Sequence, residues 1–60
     1  MENRKIFIVQ NKSIVDVLPV GEIHSRISKN KPNESVFVID IETMHRICQM
    51  FGWYYLKMIE

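Results

Sequence analysis

The chain has 60 residues, a formal net charge of +1, 47% hydrophobic side chains, one Cys and two His. That length holds a single small domain spanning 1–60, and a chain this short buries only about 60% of the surface its unfolded form exposes. One Cys excludes an intrachain disulfide, and with two His it makes no closed structural zinc set unless carboxylates help. Efficient packing or self-association is left to stabilise the fold, so a homo-oligomer or a protein partner is expected.

Charge is unevenly spread. Residues 1–31 carry six basic and three acidic groups, whereas residues 32–60 carry two basic and four acidic. The asymmetry can orient a partner, but it is too small to mark a nucleic-acid binder. The apolar run Ile6–Val9 after Arg4 and Lys5 is too short for a secretory signal core. Without a membrane-length apolar segment, and with one unpaired Cys, the expected setting is cytoplasmic.

In chain order, Lys5–Gln10 is an almost continuous branched and aromatic run, as in a strand covered on both faces. Gln10-Asn-Lys-Ser13 is a turn, although Asn-Lys is a weaker hairpin signal than Asn-Gly. Residues 13–18 admit two readings. Ser13 and Asp16 have capping-box spacing, but Ile14, Val15 and Val17 favour a strand, and a strand is the expectation.

Pro19 suits a helix start, after which Val20, Ile23 and Ile27 share one helical face. Asn30-Lys-Pro-Asn33 stops that helix. Ser35–Ile41 reads as the clearest strand, with Asp40 placed to cap a second helix. In that helix Met44, Ile47, Cys48 and Phe51 recur at i, i+3, i+4, i+7, an apolar stripe.

Gly52 is the expected helix stop, with 53–59 a closing strand. Trp53, Tyr55, Lys57 and Ile59 would then share one face; Tyr54, Leu56, Met58 and Glu60 the other. The alternative is a helix continued through Tyr55, Met58 and Ile59. The expected fold is therefore α+β, order ββαβαβ: a small sheet of three or four strands with two helices on one face. Ile6/Ile8 and Phe7/Val9 alternate to opposite faces, so the second face calls for a partner.

The motif search gives no catalytic, cofactor-binding or metal site. His45 and Cys48 are three residues apart on a helix, but the apolar stripe around Cys48 disfavours a thiolate, so an inert packed Cys is expected. A metal would require His24, His45, Cys48 and Asp16 or Asp40 to converge, with no tight ligand pair to start from. With only Gly21 and Gly52 there is no phosphate-cradling loop.

These residues point to a non-enzymatic interaction module or regulator acting by binding another protein. Phe7, Trp53, Tyr54 and Tyr55 are its expected contact residues, since aromatics dominate interface energetics. The alternative is nucleic-acid binding through Lys12, Arg26, Lys29 and Lys31, with Trp53 or Tyr54 as a stacking platform.

Overall fold

The computed structural model describes residues 3–57. Strands β1 (Arg4–Gln10) and β2 (Ser13–Pro19) form a hairpin, followed by a 3₁₀ turn (Val20–Glu22) and helix α1 (Ile23–Ile27). Strand β3 (Glu34–Asp40), helix α2 (Ile41–Phe51) and the two-residue strand β4 (Tyr54–Tyr55) complete the order. The strands make one mixed sheet, ordered β3-β1-β2-β4. The α+β class and the order ββαβαβ are those read from the sequence.

The hairpin closes through Asn11 and Lys12, whose φ angles of 51° and 61° are both left-handed. A two-residue hairpin turn needs this, because its twist then matches that of the strands. Further along, Ile8 pairs with Asp16 but Val9 pairs with Ile14, so Val15 is an extra residue in β2. This bulge reverses the pleat. Ile14 and Val17, which strict alternation would separate, both lie on the face that carries Phe7 and Val9.

On that face α2 packs. Met44 and Cys48 join Phe7, Val9 and Ile14 in one buried cluster, bordered by Phe37, Ile39, Ile41, Ile47 and Trp53. Helix α2 has defined ends. Asp40 caps it, accepting from Thr43 N–H at 2.9 Å and from the Thr43 hydroxyl at 2.7 Å. Gly52, at φ 69°, ends it, with the Gly52 and Trp53 N–H groups both donating to the Cys48 carbonyl. Thus the helix does not continue through Tyr55, and the chain turns back to the sheet.

Ile6 and Ile8 are fully buried on the opposite face. Gln10 lies on that side with them, and it pairs with Glu34, so the Glu34 side chain projects from the same face. Arg26 of α1 reaches Glu34 there, at 2.9 Å. The two helices therefore cover opposite faces, which corrects the expectation of both on one. Connection handedness is the reason. The β2–α1–β3 and β3–α2–β4 crossovers each join parallel strands but run in opposite directions across the sheet. Two right-handed crossovers of opposite direction must use opposite faces. On this second face Ile6 and Ile8 are already buried within the chain itself, on the side that carries α1.

The closing strand is shorter than expected. Tyr54 and Tyr55 pair in parallel with Ser13 and Ile14, then the chain bends at 56–57. The end of the expected strand, Met58 and Ile59, lies outside the described residues.

Candidate interaction surface

Chemically versatile side chains gather where α2 meets β4. Phe51 and Trp53 stack with ring centroids 5.8 Å apart, and Trp53 tilts against Phe37 at the same distance. Trp53 thereby plugs the edge of the core. Around it Met50, Phe51, Tyr54 and Leu56 are 61–75% exposed, an apolar fringe on both sides of the Gly52 turn. Tyr54 N–H donates to the Lys12 carbonyl at 2.9 Å, which holds this fringe beside the hairpin turn.

Tyr55 faces α2. Its hydroxyl lies 2.7 Å from His45 Nδ1, and its ring is tilted against the imidazole at 5.4 Å. Desolvation of the hydroxyl, then the Cys48 thiol beside it, push Tyr55 up to about 12. Cys48 is buried as a free thiol. The His45–Cys48 pair singled out in the sequence is thus completed by a residue ten positions on from His45, which helical spacing alone could not supply. A phenol that docks β4 onto α2 beside a buried thiol is the arrangement of this group.

The remaining expected contact residues divide. Phe7 is fully buried in the central strand and offers no surface. Among the basic residues, Lys12, Lys29 and Lys31 are exposed at one end of the sheet, because the loop before Glu34 returns beside the hairpin turn. Arg26 is turned inward instead. It bonds Glu34, and its Nη1 is buried without a partner among the described residues. Arg26, with Lys31 N–H at 3.2 Å, holds the Glu34 carboxyl below its ordinary range. A shallow depression of about 540 Å³ between Gln10, Asn11, Ser13, Val15, Asn33 and Leu56 carries no ionisable side chain.

Among the described residues, no group of three His, Cys, Asp or Glu is placed to hold a metal ion, and no helix is long and apolar enough to cross a membrane. Comparison with protein-family models, with curated proteins and with solved structures finds no match.

Proposed function

We propose that this chain is a small non-enzymatic interaction module that regulates or inhibits another protein by occupying its surface. One observation carries the reading: Met50, Phe51, Tyr54 and Leu56 stand exposed around the left-handed Gly52 turn, backed by the Phe51–Trp53–Phe37 ring contacts. Aromatic side chains offer large contact areas with few rotatable bonds, so ordering them at an interface costs little rotamer freedom. Trp53 and Tyr55 serve this surface by anchoring it; Phe7 serves it only through the core. A cytoplasmic setting fits the free thiol of Cys48.

The test is a native mass measurement of complexes from the source cells, with wild type and with Phe51→Ser/Tyr54→Ser. Both side chains are largely exposed, and since Phe51 also stacks on Trp53, circular dichroism checks that the double variant keeps its fold. Loss of a protein partner from the variant alone supports the reading. A partner retained by the variant overturns the assignment to this surface.

A second reading has one observation in its favour. Exposed Tyr54 is tied by its backbone to Lys12, and Lys29 and Lys31 occupy the same end of the sheet. An aromatic platform beside cations is what single-stranded nucleic acid requires. Binding of an oligonucleotide that falls steeply with salt and is lost in Lys12→Glu/Lys31→Glu would favour it over a protein partner.

A further inference from the structure

The two edges of the sheet differ in what they leave open. On β3 the direction of the main-chain groups follows from the hairpin. Gln10 and Ser13 flank a two-residue turn and exchange bonds with each other, so Gln10 points its main chain towards β2. Alternation then turns Lys5, Phe7 and Val9 towards β3, where they meet Ile39, Phe37 and Ser35. Glu34, Val36, Val38 and Asp40 are left facing outward. Two observations agree. The Glu34 N–H donates to the Lys31 carbonyl and its C=O accepts from Asn30 Nδ2, not from β1. Asp40 opens helix α2.

Outward N–H and C=O groups of Val36 and Val38 are therefore available, and among the described residues no strand lies beyond β3. Devices that normally blunt such an edge are missing from it. Glu34–Asp40 contains no Lys, Arg, Pro or Gly, and its register with β1 has no shift. The carboxylates at its two ends are already engaged, Glu34 by Arg26 and Asp40 by Thr43.

We propose that β3 is a self-complementary edge through which two copies of this chain pair antiparallel, fusing their sheets into one. The occupant is a second copy because the open window is short and symmetric about Phe37. Val36 and Val38 flank it, the Asn30 contact closes one end, and the start of α2 closes the other. A twofold axis at Phe37 sets Val36 against Val38 of the other copy in both directions, using all four groups. A longer foreign strand would gain no further backbone bonds. This inference rests on the outward main-chain groups of β3, not on the exposed side chains around the Gly52 turn; only Phe37 is shared, through its ring contact with Trp53.

The experiment is sedimentation velocity on the full 60-residue chain over a concentration series. Wild type is expected to reach twice the 7.2 kDa chain mass. A synthetic chain N-methylated at Val38 loses one outward donor per copy and should dimerise about ten-fold or more weakly. Ser35→Lys, at an exposed position, sets a charge on the edge and should weaken it likewise. Amide exchange at Val36 and Val38 should slow as the dimer forms, while Phe51→Ser/Tyr54→Ser leaves the mass unchanged. A monomer at every concentration overturns the inference. So does a dimer indifferent to both edge changes, or one abolished only by the Phe51/Tyr54 variant. Circular dichroism of each variant separates a lost contact from a lost fold.

Discussion

The two helical layers cover the same strand by different means. Helix α2 has eleven residues, a side-chain cap at its start, a left-handed glycine at its end and two fully inserted side chains, Met44 and Cys48. The α1 layer has a 3₁₀ turn and five helical residues, with no side-chain cap and none of its residues fully buried. It is pinned by the Arg26–Glu34 pair, whose side chains are only 18% and 6% exposed. Packing and helix termini hold one layer; a half-sealed ion pair holds the other. Helices shorter than about 12 residues are marginal alone, so both need tertiary support: α2 has its caps and two buried side chains, whereas α1 has neither and leans on that pair.

The sharpest way to break the α2 layer is Met44→Ala. Met44 has no exposed surface, and its removal should cost about 2–5 kcal/mol in urea unfolding. In the α1 layer Arg26→Ala should come next. It strips the cation from a carboxylate that is almost enclosed, and the loss should exceed that of the exposed Arg46→Ala, whose i,i+4 pair with Glu42 is solvated. Equal effects of the two Arg changes would refute the role given to Arg26. Gly52→Ala should lower stability by about 1–2 kcal/mol because a side chain strains a left-handed φ, even though open space surrounds the site. Lys12→Gly touches neither layer and should raise stability by about 1 kcal/mol through the same conformational preference in the opposite sense.

Acid offers a finer comparison, since each layer holds one carboxylate with a lowered pKa. The Arg26 bond depresses Glu34 below 4.5, and the Thr43 bonds depress Asp40 below 3.8. A depressed folded-state pKa gives stability that is full above the unfolded value and lost as pH falls through the folded one. Wild type should thus weaken progressively below about pH 4.5, the ordinary Glu value. Asp40→Asn should retain only the Glu34 part of that decline, and Arg26→Ala mainly the Asp40 part. At high pH the sign reverses. Tyr55 is raised from 10.0 to about 12, so its contribution is full below pH 10 and fades above it. Tyr55→Phe should flatten that alkaline limb.

How much of this was legible depended on whether the signal was local. The Asp40 cap, the Gly52 stop and the α2 stripe through Met44, Ile47 and Cys48 are set by neighbours within a turn or two, and the sequence showed them; Phe51, the fourth of the stripe, is exposed instead. The β1 run also revealed its two-sided burial. Which layer would cover each side was not legible, because strand order sets the direction of each crossover and strand order is non-local. The bulge at Val15 was equally hidden, since Ile14, Asp16 and Leu18 alternate regularly in the sequence and only pairing with Val9 moves Ile14 across. Of the expected contact residues Tyr54 is exposed and Phe7 is buried, because an aromatic in a central strand reads the same in sequence as one on an edge. The inward turn of Arg26 depended on Glu34 arriving from another element.

The parallel pairing of β4 with β2 has a kinetic side. The β1–β2 hairpin closes across two residues, but Tyr54 and Tyr55 must find Ser13 and Ile14 after the rest of the chain has been laid down. Closing so long a loop for two ladder positions leaves little to gain until α2 is already docked. Strand β4 is then expected to assemble last and open first, which amide exchange at Tyr54 and Leu56 would read. Its release would swing the Trp53 and Tyr55 rings away from the core as a local fluctuation, well short of unfolding the whole.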